Sequence, residues 1–134
     1  MKKYKNDYVW NERMHHHLDR EYELECISLY RNCYDYSPEH FYDDIMVFVT
    51  KAFIDRNRHL GMDNRRSIVQ VKMKFGFLTI YYDGGKDPYL DEIINTATKM
   101  AQQVKKKVDD QYGRGGWRHR TILSTGKNWQ TPEW

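Results

Sequence analysis

Between Asn11 and Cys33 the apolar positions Leu18, Tyr22, Cys26, Leu29 and Cys33 recur at intervals of four and three, which predicts an amphipathic helix with one buried stripe. Arg13, Asp19, Arg20, Glu23 and Arg31 fall on the opposite, solvated face. Ser37-Pro38-Glu39 then reads as a helix start, with Ser37 as N-cap, Pro38 at the first helical position and Glu39 at the positive end of the dipole. Phe41, Ile45, Phe48, Val49 and Ala52 keep core spacing along this second helix, and Gly61 is placed to end it. From Val69 the period changes to two: Val69, Val71, Met73 and Phe75 alternate with Gln70, Lys72 and Lys74, a strand with one wet face. Phe77 to Tyr82 resumes strand character after Gly76, so a tight hairpin turns there. Asp87-Pro88 starts a third helix, whose stripe runs through Leu90, Ile93, Ile94, Ala97, Ala101, Val104 and Val108. Beyond Gly113 no period is clear, although Trp117, His119, Thr121 and Leu123 are spaced to face one side of a third strand. The order predicts an α+β fold in which a small antiparallel sheet, the hairpin plus a third strand, packs against two or three amphipathic helices. Residues 1–113 form the compact domain, and residues 114–134 a C-terminal extension.

The length, 134 residues, supports one such domain. Mean hydropathy is low, at −0.94, but aromatic residues make up 15% of the chain, too many for a disordered one. No run nears the ~20 apolar residues of a membrane helix, and the N-terminus leads into polar residues instead of a signal core. A cytoplasmic address and no membrane partner are expected. On one helix Cys26 and Cys33 would have Cα atoms ~10 Å apart, too far for a disulfide, so both read as buried thiols. The net charge of +3 is uneven. Lys99 to Trp134 holds eight basic and three acidic residues, a net +5, against −2 for Met1 to Thr98. Eleven tyrosines and four tryptophans add flat, amphipathic contact area suited to a partner or a ring-bearing ligand.

Val71 to Gly85, with Lys74-Phe75-Gly76-Phe77-Leu78-Thr79-Ile80-Tyr81-Tyr82 at its centre, resembles a block in uncharacterised small proteins of tailed bacteriophages and prophages. There a K-F-G-x-L-x-(F/I)-Y-Y hairpin precedes a helix rich in small and acidic residues. The likeness covers about Ser37 to Met100 and is carried by the hairpin. It implies a phage or prophage origin, and with it action on host machinery or host defence. Such proteins often follow the helix with a C-x-x-C suggestive of zinc; this chain has no cysteine after Cys33, so no metal or other cofactor is carried over.

The constellations that could carry chemistry mostly have plainer readings. Of His15, His16 and His17, His15 with Asp19 has a metal-compatible i, i+4 spacing, but with no further ligand spacing the run reads as a surface one, while His40, His59 and His119 are scattered. Asp43-Asp44 and Asp109-Asp110 sit among solvated helix positions with no nucleophile or substrate anchor nearby. Asp83-Gly84-Gly85 reads as a strand-to-helix turn and lacks the continuation of a P-loop. The tail differs, because Arg114, Arg118, Arg120 and Lys127 interleave with Trp117 and Trp129, the mixture that stacks on bases and neutralises phosphates. With Lys72 and Lys74 on the wet face of the hairpin and Tyr82 extending the stacking surface, these residues form the expected ligand site.

The first expectation is therefore a non-enzymatic phage-type accessory protein, a homo-oligomer that binds a nucleotide-like or other anionic ligand and so sequesters a host defence signal. Two alternatives stay open: a nucleic-acid-binding protein using the basic aromatic tail, and an inhibitor that covers a host enzyme with its tyrosine-rich surface. An enzyme ranks last, since no constellation pairs a nucleophile or metal with a base.

Overall fold

A computed structural model describes residues 8–112. The chain groups into two units, residues 1–101 and 102–134. The fold of the first is α+β. It opens with a π-helical segment, Val9–Met14, and a 3-10 turn at Arg20–Tyr22 that leads into helix α1, Glu23–Leu29. Strand β1, Asp35–Tyr36, is followed by a 3-10 turn, His40–Tyr42, and helix α2, Asp43–Leu60. Another 3-10 turn, Met62–Asn64, precedes strands β2, Ser67–Lys74, and β3, Phe77–Asp83, and then helix α3, Pro88–Tyr112. From the second unit, the described part is the end of α3, where Lys105 and Lys106 pair with Asp109 and Asp110 at i, i+4.

The hairpin is where the period-two pattern places it. Lys74 pairs with Phe77, and Phe75 and Gly76 between them have φ of +54° and +83°. Positive φ at both central residues is the turn whose twist matches the flanking strands. A bulge between Ile68 and Gln70 shifts the buried set. Ile68 and Val71 are buried and Val69 is only half-buried, whereas an unbroken alternation would bury Val69 and Val71 together. The third strand comes from residues 35–36, not from the tail: β1 lies parallel to β2, pairing Asp35 with Gln70 and Tyr36 with Val71. The sheet is thus mixed. Trp117 to Leu123, expected as a third strand, and residues 114–134, expected as an extension, lie outside the described residues.

Formation of β1 explains why the second helix starts late. The Ser37 amide donates to the Val71 carbonyl, which commits Ser37 to the sheet edge, and α2 begins at Asp43 with no side-chain cap. Its end is as read, with Gly61 at φ +86° and its amide donating to the Asn57 carbonyl at 3.0 Å. α3 also starts as read: the Asp87 carboxylate accepts the Tyr89 amide at 3.0 Å, one residue beyond Pro88.

The core lies between α2 and one face of the sheet. Tyr42, Met46, Val49, Phe53 and Ile54 of the α2 region, Ile68, Val71 and Leu78 of the sheet, and Leu90 of α3 are all fully buried, and the Phe53 ring packs edge-on against Tyr82 of β3. Tyr30 is buried with its hydroxyl 2.8 Å from Thr50 Oγ1. The first helix is broken into three pieces, so Cys26 in α1 and Cys33 beyond its end do not share a helix, although both are buried thiols as expected. Arg13 departs from its expected place. It is 3% exposed and donates to Asp43 Oδ1 from Nε at 3.1 Å and Nη2 at 2.8 Å, and to the Pro38 carbonyl at 2.5 Å. Asp43 is accordingly buried too, while the Asp44 side chain is 94% exposed. The helical break turns Arg13 inward, onto the entrance of α2.

Candidate functional site

One open pocket of ≈ 350 Å³ is cut into the surface between α1, the last turns of α2 and the loop that follows. α1 presents Leu24, Glu25, Ser28 and Leu29, residues one and four positions apart that share a helix face. α2 presents Ile54, Asn57 and Arg58 by the same periodicity. The lip is Gly61 and Met62, and the far wall Arg65, Arg66 and Ser67. Leu29 and Ile54 are buried and make an apolar floor, while Leu24 and Met62 stand 79% and 78% exposed at the rim.

Three arginines and one carboxylate, Glu25, line this space, and each arginine is held differently. Arg58 grips Glu25 with two bonds, Nε to Oε2 at 2.6 Å and Nη2 to Oε1 at 2.5 Å, and its guanidinium lies 5.1 Å from the Tyr22 ring centre. The hydrogen bonds from Arg58 hold the Glu25 carboxyl below its usual pKa, so it stays an anion at neutral pH. Arg65 donates from Nη2 to the Ser28 hydroxyl at 3.1 Å, a neutral partner. Arg66 is clamped through its backbone, its amide donating to Asn57 Oδ1 at 2.8 Å and its carbonyl accepting from Asn57 Nδ2 at 2.9 Å. The Arg66 guanidinium donates to the carbonyls of Gly85, Lys86 and Asn64. Arg65 and Arg66 thus keep their charge without a carboxylate contact among the described residues.

The loop before α3 braces this wall. A Cβ at Gly84 would lie 2.5 Å from the Arg65 carbonyl oxygen, and φ there is +109°. Only glycine lets the two loops approach so closely. Arg56 ties the same loop to α2, its Nε donating to Asp87 Oδ2 at 2.9 Å. The pocket therefore offers fixed positive charge and hydrogen-bond donors above an apolar floor. Its one carboxylate is already engaged by Arg58.

The residues expected to bind ligand are not in this pocket. Lys72 and Lys74 lie on the outer face of the sheet, as read; Lys74 Nζ is 3.5 Å from the Tyr81 hydroxyl. Tyr82 does not join them. It pairs with buried Ile68, its ring packs edge-on against Phe53 at 5.5 Å, and its hydroxyl donates to Asp91 Oδ1 at 2.8 Å. A residue one step along β3 from Tyr81 must point to the opposite face, so Tyr82 extends the core instead of a stacking surface. Arg114, Trp117, Arg118, Arg120, Lys127 and Trp129 lie outside the described residues. Among the described residues no three metal-ligating side chains come together; His40 Nδ1 is instead 3.1 Å from Asp43 Oδ2. No helix of the described residues is long and apolar enough to cross a membrane.

Reading the sequence by periodicity passes over Arg58, Arg65 and Arg66, because Arg65 and Arg66 fall in a polar loop and Arg58 on a wet helix end. The one local signal is two consecutive arginines, Arg65-Arg66, in a loop whose Asp63-Asn64 start already marks a turn. Compared with protein-family models, curated proteins and solved structures, the chain matches none of them.

Proposed function

We propose that the protein binds, without turning over, a small anionic ligand with an apolar or ring-bearing part, and that the pocket lined by Arg58, Arg65 and Arg66 is where it does so. The observation that carries this reading is an excess of arginine over carboxylate, three arginines to the single Glu25 in the lining, beside an apolar floor and rim. Guanidinium groups suit phosphate or carboxylate in a planar, bidentate fashion, and Leu24, Leu29, Ile54 and Met62 suit the rest of the molecule. A volume of ≈ 350 Å³ is at the small end of ligand pockets, about 300–1,000 Å³, which favours a mononucleotide-sized molecule over a polymer. Binding without catalysis fits the lining, since the Ser28 hydroxyl is bonded to Arg65 and the one carboxylate, Glu25, is engaged by Arg58 instead of activating a serine. Together with the phage-like hairpin block, this reading supports a role in sequestering a host signal nucleotide.

Calorimetric titration with a panel of linear and cyclic mononucleotides tests it. At least one member is expected to bind, and Arg65→Ala, which removes the arginine whose guanidinium donates to the Ser28 hydroxyl, is expected to weaken that member about tenfold or more, as loss of a hydrogen bond to a charged group does. No binding by any member, or unchanged affinity in Arg65→Ala, overturns the reading.

A further inference from the structure

The outer face of the sheet is chemically unlike the pocket. Along β3, Phe77 and Tyr81 are 48% and 39% exposed and point the same way, four residues and about 14 Å apart. Across from them on β2 stand Lys74, opposite Phe77, and Lys72, opposite Thr79. Gln70, opposite Tyr81, continues the row, and the Tyr34 hydroxyl donates to its Oε1 at 3.0 Å, which brings a further ring, 65% exposed, to the same face. Neither Lys72 nor Lys74 forms an ion pair among the described residues.

At the tip stands Phe75, 90% exposed at φ +54°. This is doubly unfavourable. Left-handed backbone is costly for a residue with a Cβ and suits glycine or asparagine, and a phenyl ring in water forgoes the benefit of burial. Nothing in the fold of the described residues uses this ring. An outlier kept against both preferences points to a contact outside the fold.

We infer that this face binds single-stranded nucleic acid, with bases stacked on Phe75, Phe77 and Tyr81 and phosphates held by Lys72 and Lys74. Rings interleaved with cations on an open sheet are what a single strand needs, because every base has a face to stack and every linkage a charge to neutralise. Rings about 14 Å apart suit bases splayed onto separate side chains. A second copy of this chain is disfavoured as the occupant, since an isologous contact would bring two copies of the Lys72 and Lys74 charges into one interface with no carboxylate paired to either lysine among the described residues. The inference is independent of the pocket.

Fluorescence anisotropy with labelled dT15 and rU15, read at several salt concentrations with the full chain, decides it. Wild type is expected to bind at low salt. Phe77→Ala and Tyr81→Ala are each expected to weaken binding fivefold or more. Lys72→Ala/Lys74→Ala is expected to make the slope of log K against log salt shallower by about 1.4, at ~0.7 for each phosphate left without its lysine. Phe75→Asn separates binding from folding, because asparagine tolerates the turn: its melting temperature should equal or exceed wild type while affinity falls. Lys51→Ala, an exposed lysine on α2, serves as a control for net charge and should keep wild-type affinity. Absence of binding to both oligomers overturns the inference and leaves a protein as the occupant of this face. Binding that survives the ring variants, or that Lys51→Ala weakens as much as the paired lysine variant does, also overturns it.

Discussion

Replacing Arg13 should be among the most damaging single changes in the protein. Its guanidinium is 3% exposed and makes two bonds to Asp43 Oδ1 and one to the Pro38 carbonyl, with the Tyr36 ring 5.0 Å from its centre. Arg13→Met keeps much of the apolar volume but leaves the buried Asp43 carboxylate, among the described residues, with the His40 ring nitrogen at 3.1 Å as its side-chain partner, and strips the Pro38 carbonyl of the Arg13 donor. Each charge-assisted bond contributes about 1.5–3 kcal/mol, though the three are not additive. Breaking a buried pair from one side costs about 3–5 kcal/mol, chiefly because a charge is stranded. For a chain of this size, where 1 kcal/mol moves the transition by about 3–5 °C, the melting temperature should fall by about 10–20 °C. Urea unfolding followed by circular dichroism gives the free energy directly. The double variant Arg13→Met/Asp43→Leu should recover most of the loss, since no charge then remains to be buried. Arg20→Ala provides the contrast: Arg20 meets Glu23 at 3.5 Å with its own side chain 89% exposed, and its loss should stay within about 0.5 kcal/mol. A cost below about 1 kcal/mol for Arg13→Met, or a double variant no better than the single one, would refute the argument that stranding a buried charge governs this site.

Four further outcomes follow from the same structure. Tyr36→Phe should be neutral or stabilising by about 1 kcal/mol in urea unfolding, because the Tyr36 hydroxyl is buried with no partner among the described residues. Gly84→Ala should destabilise by more than about 1 kcal/mol, since the added Cβ would meet the Arg65 carbonyl at 2.5 Å, and Gly85→Ala, whose nearest new neighbour is the Arg66 guanidinium at 3.5 Å, should cost less. Arg56 holds the Asp87 carboxyl below its usual pKa, so Asp87 stabilises the fold above the unfolded aspartate value, about 3.9, and that stability is lost as pH falls toward the lower folded value; melting temperature against pH should show a shallower acid slope in Asp87→Asn. Burial pushes the Cys26 thiol up to about 12, so mass spectrometry after iodoacetamide at about pH 8 should find Cys26 unmodified in native protein and modified in urea.

Where a local signal decided a structure, the sequence disclosed it. The turn at Phe75-Gly76, the end of α2 at Gly61 and the start of α3 at Asp87-Pro88 rest on conformational demands that one or two residues meet by themselves, and the α+β class follows from the order of the periodic segments. Failures occurred where a distant partner overrode a local preference. Ser37 has the chemistry of a helix cap, yet its amide goes to Val71. Arg13 fits a solvated helix face, yet Asp43, thirty residues on, draws it inward. Leu18 and Cys33 are buried where the helical stripe predicts burial, even though the helix itself is interrupted, because burial was set by tertiary contact and not by the 3.6 period. The pocket belongs to the same class of failure. Glu25 and Ser28 reach Arg58 and Arg65 only when α1 packs against the end of α2, and no spacing in the chain encodes that contact.

The manner in which the arginines are held bears on how tightly the pocket can bind. Ordering a free arginine costs up to about 2 kcal/mol of side-chain entropy, which a ligand must offset before any affinity appears. Arg66 has met that cost on folding, since Asn57 fixes its backbone and three carbonyls fix its guanidinium. Arg58 has met it through Glu25 and Tyr22. Arg65, bonded only to the Ser28 hydroxyl among the described residues, retains donors for a ligand. On the proposed reading the division of labour follows: Arg66 sets a positive charge in place, Arg58 is balanced by Glu25, and Arg65 would make the contact. It also ranks the variants, because Arg65→Lys keeps the charge but loses the planar fork, so it should fall between wild type and Arg65→Ala if the ligand is gripped through two oxygens.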